Sequence, residues 1–112
     1  MSFERFTVVR VPFPFTDRNA TKNRPALVLS AADHFNTPTG HSVMAMITSA
    51  KNAPWPLDCR IADLESAGLP VPSVVRFKLF TLDHRLVRGE LGILAMGDAQ
   101  SVADRLKQLF SQ

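Results

Sequence analysis

The apolar residues of this chain lie in short segments, separated about every ten residues by turns rich in proline and polar side chains. Several segments have an apolar residue at every second position and the others are too short for a helix, so both kinds favour strands. Only the final segment, from Asp98 to Phe110, has apolar residues at helical spacing. Many short strands followed by one amphipathic helix favour a mainly β, α+β fold built on a small barrel over an alternating α/β fold.

The first strand is predicted from residues 8–15, in which one side is entirely apolar. Pro12 and Pro14 lie on the opposite side and cannot donate hydrogen bonds to a neighbouring strand. We therefore expect this strand at an edge of the sheet or at a bend. The apolar side is formed by Val9, Val11, Phe13 and Phe15.

Five more strands are predicted further along the chain. They cover residues 25–29, 43–47, 57–61, 73–82 and 85–94. The first two of these are almost entirely apolar, which is typical of strands buried on both faces, so we expect them to be the most deeply buried. Residues 16–23 and 50–56 are polar or rich in proline and are predicted to be irregular.

Short helical turns are predicted at residues 31–35 and 63–68, the second closed by Gly68, because glycine favours the left-handed conformation at a helix end. Residues 36–40 are expected to form a loop. The terminal helix is expected to begin at Asp98, a favourable N-cap residue. Its apolar face comprises Val102, Ala103, Leu106, Leu109 and Phe110.

At 112 residues the chain is long enough for one good hydrophobic core, so we expect a single domain over residues 1–112. One cysteine, Cys59, excludes an internal disulfide and is typical of a reducing compartment. The N-terminus lacks the apolar core of a signal peptide, and no apolar run is long enough to span a membrane. These features favour a cytoplasmic protein without a membrane partner.

Positive charge is concentrated in two parts of the chain. Residues 1–30 contain five Lys or Arg against two carboxylates, and a second basic run lies within residues 76–88. The net charge of +3 is compatible with a polyanionic partner but does not require one. Within the strand at 73–82 we expect two faces, one formed by Val75, Phe77 and Leu79 and the other by Arg76 and Lys78.

Three short stretches indicate the chemistry: Val-Pro-Phe-Pro-Phe-Thr-Asp at 11–17, Arg-Pro-Ala-Leu-Val-Leu-Ser at 24–30, and Ile-Thr-Ser at 47–49. They place Arg24 and Thr48 at the ends of buried strands. An arginine is always charged and binds phosphate through two parallel N–H groups, so a hydroxyl beside it suits phosphate chemistry and suggests a nuclease of RNA. From spacing alone, an arginine paired with a carboxylate and an ordinary strand threonine remain alternatives.

In this order the stretches resemble the PemK/MazF family of toxin endoribonucleases from bacterial toxin–antitoxin pairs. Further matching segments lie at 68–75, 82–87 and 91–92, so that the resemblance extends from Phe6 to Phe110. Two departures are visible. Phe6-Thr7 stands where family members usually have Gly-Asp, and the loop after residue 17 lacks the glycine that is often present.

The resemblance implies an SH3-like β-barrel with short helical turns and a C-terminal helix, of the kind shared by CcdB, MazF and PemK, that works as a homodimer. It also implies metal-independent cleavage of single-stranded RNA, including mRNA, through attack by the neighbouring 2′-hydroxyl. No cofactor is expected. A cognate protein antitoxin is expected to lie across the dimer and block the groove.

The same resemblance assigns Arg24 to stabilising the charge that develops on the phosphate, and Thr48 to donating a hydrogen bond to it. Trp55 is a candidate for stacking on an RNA base, with packing on the barrel as its alternative. One cysteine and three scattered histidines form no metal-ligand pattern, so no metal site is predicted. The supporting or RNA-binding candidates are Ser49, Phe15, Asp17, Lys22, Lys51, Trp55 and Lys78.

Two other functions are compatible with the same barrel. A toxin that resembles CcdB would bind DNA gyrase and cleave nothing, but residues 109–112 lack the Trp, Gly and Ile ending of that group. A non-catalytic member of the PemK/MazF family would keep partner binding alone. Incubation with a mixed-sequence RNA in the presence of a chelator distinguishes these functions from RNA cleavage.

Overall fold

The computed structural model describes residues 3–13 and 22–111. Six antiparallel strands form one sheet in the order β4-β5-β3-β2-β1-β6, and the sheet curls into a half-barrel. The predicted mainly β fold with a C-terminal helix is confirmed. The strands are β1 Thr7–Phe13, β2 Lys22–Val28, β3 His41–Ser49, β4 Cys59–Arg60, β5 Ser73–Asp83 and β6 Gly89–Ile93.

Helical structure is short except at the C-terminal end. The α-helices are α1 Thr37–Thr39, α2 Leu64–Ala67 and α3 Met96–Leu109. A π-turn at Ala32–Asn36 precedes α1, and a 3-10 turn at His84–Leu86 joins β5 to β6. The helical turn predicted at 63–68 is confirmed, with Asp63 as its N-cap and Gly68 closing it at a φ of 72°.

The two faces of the sheet are covered differently. The face that we call the helix side packs against α2 and α3, and its core includes Val8, Leu27, Ala45, Ile47, Val75, Ala67 and Val102. The opposite face, here the site side, is buried at one end by a second cluster of Phe3, Val9, Val11, Ala26, Val28, Met44 and Leu82. Because β2 and β3 contribute fully buried residues to both faces, their predicted deep burial is confirmed.

The first strand was expected at an edge or at a bend, and the edge position is wrong, because β1 lies between β2 and β6. Pairing with β6 covers only residues Thr7 to Arg10, whereas pairing with β2 continues to Phe13. Within the described residues, Pro12 therefore pairs with β2 and lies beyond the part of β1 that pairs with β6. Its missing backbone N–H interrupts no hydrogen bond to β6. Pro14 lies outside the described residues.

Other predicted elements are shorter or begin elsewhere. The strand expected at 57–61 is only Cys59–Arg60, and the one expected at 85–94 is the 3-10 turn followed by β6. Residues 36–40 are not simply a loop, because they contain α1. The buried Asn36 explains this order: its side-chain amide donates to the carbonyl oxygens of Phe3 and Ser30.

The predicted N-cap of the terminal helix is wrong, since α3 begins at Met96, two residues before Asp98. The buried Asp98 carboxylate instead accepts hydrogen bonds from the backbone N–H groups of Ala62 and Asp63, at 3.0 and 2.9 Å. The apolar face of α3 is also shorter than predicted. Val102 is fully buried, but Phe110 is 60% exposed.

Candidate active site

A cleft opens at the end of the sheet where β2 and β3 separate. Their ladder ends at the pair Ala26–Met46, next to Pro25, which has no N–H to donate to either neighbouring strand. Side chains alternate along a strand, so the residues two positions beyond this pair point to the same side of the sheet. Those residues are Arg24 and Thr48, the two residues that the sequence motifs predict as catalytic.

The cleft has a volume of about 390 Å³, and both Arg24 and Thr48 line it. Lys22 adds a second cation from the start of β2, and Ser49 adds a hydroxyl from the end of β3. The opposite wall comes from the segment that leads into β5. That wall consists of Leu69, Pro70, Val71 and Ser73.

The Arg24 guanidinium is held by an aromatic ring. Its central carbon lies 5.1 Å from the centroid of the Phe13 ring, a cation–π contact between diagonal neighbours on β2 and β1. Within residues 3–13 and 22–111, no carboxylate forms an ion pair with Arg24. Its charge is therefore directed to the cleft and is not neutralised by the described part of the protein.

The Thr48 hydroxyl is contacted by a residue that the sequence patterns did not single out. Asn52 Nδ2 donates to Thr48 Oγ1 at 2.5 Å from the exposed turn after β3. Ser49 organises the same turn, since its Oγ accepts from the Lys51 N–H at 3.2 Å. An Asn four residues after a strand-end Thr is a weak pattern by itself, which is why Asn52 was missed.

A second cleft, of about 290 Å³, adjoins the first and shares Thr48 with it. Its floor is apolar and two cations stand beside it. It is lined by Phe13, Met46, Thr48, Arg76, Lys78, Leu79 and Phe80. We call it the apolar cleft.

A bulge in β5 produces this lining. Ala45 pairs with Leu79 but Met46 pairs with Arg76, so two residues of β5 have no opposite number on β3. The interruption disrupts the ladder locally, including the placement of the side chains next to it. Leu79, predicted to share a face with Val75 and Phe77, is instead 37% exposed and lines the apolar cleft together with Arg76 and Lys78. That prediction is wrong.

Beside this cleft, an ion pair holds the loop that carries Trp55. Arg76 binds both carboxylate oxygens of Asp58, at 3.2 and 2.9 Å, and donates to the Ala53 carbonyl oxygen at 2.7 Å. The same carboxylate accepts from the Trp55 N–H at 3.0 Å. The hydrogen bond to Asp58 raises the pKa of the Arg76 guanidinium.

Trp55 itself is 43% exposed and contributes to neither core cluster. Its ring lies beside two cations, with Lys78 Nζ 4.6 Å and the central guanidinium carbon of Arg76 5.9 Å from the ring centroid. The ring therefore packs on side chains of β5 while part of it stays open to solvent, so base stacking and packing on the barrel both remain compatible with the structure. Trp55 stands at the surface next to the apolar cleft.

The remaining residues predicted to support the site do not line either cleft in the described structure. Lys51 is exposed on the turn after β3 and lines neither cleft, and Phe15 and Asp17 lie outside the described residues. Burial raises the pKa of the Cys59 thiol, which is 2% exposed and does not reach either cleft. Over the described ranges, no three His, Cys, Asp or Glu side chains are grouped closely enough to hold a metal ion.

Comparison with known proteins identifies the family. Residues 4–110 match the family described as PemK-like, MazF-like toxin of type II toxin–antitoxin system. The chain belongs to this family. The comparison of this MazF-like toxin with curated protein sequences found no significant match.

Solved structures support the same fold. The MazE–MazF complex of Deinococcus radiodurans is similar over 100% of this chain and 98% of that chain, with 26% identity and a TM-score of 0.76. A mycobacterial endoribonuclease solved with its cognate antitoxin covers 98% and 94%, with 15% identity and a TM-score of 0.75. The Mycobacterium tuberculosis toxin MazF-mt6 is similar over 94% of this chain and 96% of that chain, with 19% identity and a TM-score of 0.71.

In the part of the chain with described structure, none of the helices is both long and apolar enough to cross a membrane.

Proposed function

We propose that this MazF-like toxin is an endoribonuclease that cleaves single-stranded RNA, including mRNA, without a metal ion. The observation that supports this most is the shared cleft: Arg24, with no carboxylate partner in the described structure, lines it together with the Thr48 hydroxyl. One phosphodiester group in this cleft contacts both side chains. The proposal also agrees with a homologous structure described as an endoribonuclease.

The reaction that this arrangement suits is an intramolecular transfer. The ribose 2′-hydroxyl loses its proton to water as its oxygen bonds to phosphorus, and the bond to the 5′-oxygen of the next nucleotide breaks. That oxygen takes up a proton from water, so a 2′,3′-cyclic phosphate and a 5′-hydroxyl end result. Negative charge grows on the two non-bridging oxygens as the bond forms. Arg24 donates two N–H groups toward them, and such preorganised donors are commonly the largest single contribution to catalysis.

Thr48 acts as a hydrogen-bond donor in this proposal and not as the base. A threonine hydroxyl is a poor general base at neutral pH, and its described neighbour Asn52 cannot take its proton. The hydroxyl instead donates to a phosphate oxygen beside the one bound by Arg24. Ser49, at the end of the same strand, supports this part of the cleft.

RNA on either side of the scissile phosphate is bound by charge and by stacking. Lys22 lies in the first cleft and Lys78 in the apolar cleft, and Lys51 is on the exposed turn that follows Ser49. Cations in such a groove neutralise backbone phosphates without reading sequence. The exposed Trp55 ring provides a surface for one base, an interaction of about 1–3 kcal/mol.

We further propose that the toxin functions as a homodimer in the cytoplasm and is inhibited by a cognate protein antitoxin. Complexes of this kind are known for similar proteins, such as MazE–MazF of Deinococcus radiodurans. The cationic clefts favour an acidic segment of the antitoxin as the inhibitory element. A small acidic protein that abolishes RNA cleavage at equimolar concentration is the expected partner.

The test is cleavage of a long mixed-sequence RNA by purified protein with EDTA present. We expect Arg24→Ala to lower the cleavage rate constant by about 100-fold or more, because one transition-state donor is worth that much. Circular dichroism and size-exclusion chromatography should show an unchanged fold. Arg85→Ala is the matched control, since it removes an exposed arginine next to the opposite end of β5.

The outcomes separate the three functions. Full activity of a folded Arg24→Ala protein contradicts the assignment of the site. Gyrase inhibition without RNA cleavage supports a CcdB-like toxin. Antitoxin binding with neither activity supports a non-catalytic member of the family.

A further inference from the structure

Thr48 and Asn52 form a contact whose consequence goes beyond the fold. Asn52 Nδ2 donates to Thr48 Oγ1, and this is the contact that the described structure provides for the Asn52 side chain. Asn52 is exposed, and it lies outside the three stretches that carry the family resemblance. Its side chain nevertheless turns back to a hydroxyl that lines both clefts.

The turn that contains Asn52 is held without this side chain. The Asn52 N–H donates to the Ser49 carbonyl oxygen at 3.1 Å, and the Lys51 N–H donates to Ser49 Oγ at 3.2 Å. At its start, the Ala50 N–H donates to the Pro72 carbonyl oxygen at 3.0 Å. Three hydrogen bonds independent of the amide therefore fix the turn, so the amide can be removed with little effect on it.

The hydrogen bond decides what the Thr48 hydroxyl can do. A hydroxyl has one proton to donate and two lone pairs to accept with, whereas an amide NH₂ can only donate. Because Asn52 fills one lone pair, the Thr48 proton must be donated elsewhere. A hydroxyl that accepts a hydrogen bond is also a stronger donor, since neighbouring hydrogen bonds polarise one another.

We infer that Asn52 is a positioning residue for RNA cleavage: by donating to Thr48, it directs the Thr48 hydroxyl proton into the cleft that Arg24 lines. This inference rests on the proposed endoribonuclease function. Asn52 makes no contact with RNA in it. Its effect reaches the scissile phosphate only through the orientation and donor strength of Thr48.

The test is a double-mutant cycle measured by single-turnover cleavage of one RNA oligonucleotide at saturating protein. Asn52→Ala should lower the rate constant at saturation by about five- to tenfold, the factor that one ordinary hydrogen bond represents. The Kd for an uncleavable 2′-deoxy analogue should change by less than about twofold, because Asn52 does not bind the substrate. In the Thr48→Val background, Asn52→Ala should have no further effect.

Two further variants sharpen the cycle. Asn52→Asp should be slower than Asn52→Ala, because a carboxylate can only accept and therefore turns the Thr48 proton away from the phosphate. Gln100→Ala is the matched control, because the exposed Gln100 amide also donates to a residue four positions later, Asp104 on α3. The Gln100→Ala protein should cleave RNA at the wild-type rate. An Asn52 side-chain amide proton should also shift upfield in the NMR spectrum of Thr48→Val.

Each result has a defined meaning. If Asn52→Ala cleaves as fast as the wild type, or loses the same factor with and without the Thr48 hydroxyl, this inference alone is overturned. If the wild type cleaves no RNA, the proposed function fails and the inference fails with it. An unshifted Asn52 amide resonance in Thr48→Val would likewise contradict the hydrogen bond.

Discussion

At the scale of single residues, the geometry of Arg24 matters as much as its charge. Its cation–π contact with Phe13 holds the guanidinium beside the ring, and Arg24 also lines the first cleft. A lysine would carry the same charge but present it as a compact, strongly hydrated point. The proposed role therefore depends on a fork of two donors, and a substitution that keeps only the charge tests it.

We predict that Arg24→Lys lowers the cleavage rate constant by about tenfold, a smaller loss than the roughly 100-fold or greater one expected for Arg24→Ala. The retained charge still attracts the phosphate, but the two parallel hydrogen bonds are lost. Single-turnover kinetics with the same RNA gives both values. Equal rates for the wild type and Arg24→Lys would mean that charge alone is required.

Phe6 shows what a single residue reveals only in the structure. The sequence has Phe6-Thr7 where related toxins usually have Gly-Asp, and the backbone at Phe6 has a φ of 71°, the left-handed region that favours glycine. The requirement for that conformation is set by two backbone hydrogen bonds, to Val28 and from Leu94. Because both partners are distant in sequence, local patterns could not predict it.

At the scale of elements, α2 and β6 approach each other closely at two glycines. A Cβ atom on Gly92 would lie 2.3 Å from the Ser66 carbonyl oxygen, and one on Gly68 would lie 2.0 Å from the Leu91 carbonyl oxygen. Backbone atoms cannot move aside as a flexible side chain can. This contact attaches α2 to β6 and so helps to close the helix side of the sheet.

We predict that Gly92→Ala lowers the free energy of unfolding by about 3 kcal/mol, the upper part of the range for overpacked sites. Gly97→Ala is the control, because a Cβ atom at Gly97 meets nothing within 4 Å. At that helical position alanine should be neutral or stabilise by about 0.5 kcal/mol. Urea unfolding monitored by circular dichroism measures both, and equal stabilities of the two variants would contradict the proposed close contact.

Elements also show where sequence patterns stop being informative. The period of two indicated β1 and β5, short apolar runs indicated β2 and β3, and the helical period indicated α3, because all of these signals are local. The bulge that turns Leu79 outward depends on the register between β3 and β5, and the burial of Asp98 depends on the chain near Ala62. Both are tertiary contacts, so the sequence predicted the elements but not their irregularities.

At the scale of the whole molecule, positive charge lies along the two adjoining clefts. Lys22 and Arg24 line the first, and Arg76 and Lys78 line the apolar cleft. Asp58 is already occupied by Arg76, so it does not cancel the charge of the other three. RNA that passes over both clefts would release counterions, and its binding should weaken as salt rises.

We predict that Lys78→Gln lowers the salt dependence of RNA binding. The slope of log K against log salt concentration should decrease in magnitude by about 0.7, the value for one phosphate contact with a single strand. Lys107→Gln on the exposed side of α3 removes the same charge away from both clefts and should leave the slope unchanged. Fluorescence anisotropy with an uncleavable oligonucleotide provides the measurement, and identical slopes for the two variants would exclude Lys78 from the binding surface.

The overall architecture was largely predictable. The strand and helix periods limited the fold class, and the ordered motifs indicated the barrel. The cleft was not, because it depends on where the β2–β3 ladder ends. Arg24 and Thr48 are 24 residues apart, and only the strand register brings them to the same side. The edge position predicted for β1 was wrong for the same reason, as β6 pairs with it from the far end of the chain.

The sharing of Thr48 between the two clefts has a consequence for inhibition. A peptide or small molecule seated only among Phe13, Leu79 and Phe80 would already lie against that hydroxyl. Under the proposed function it would compete with RNA for Thr48 without filling the cleft that Arg24 lines. Inhibitors of this toxin can therefore combine an apolar part that fills this cleft with an acidic group that pairs with Lys78 at its side.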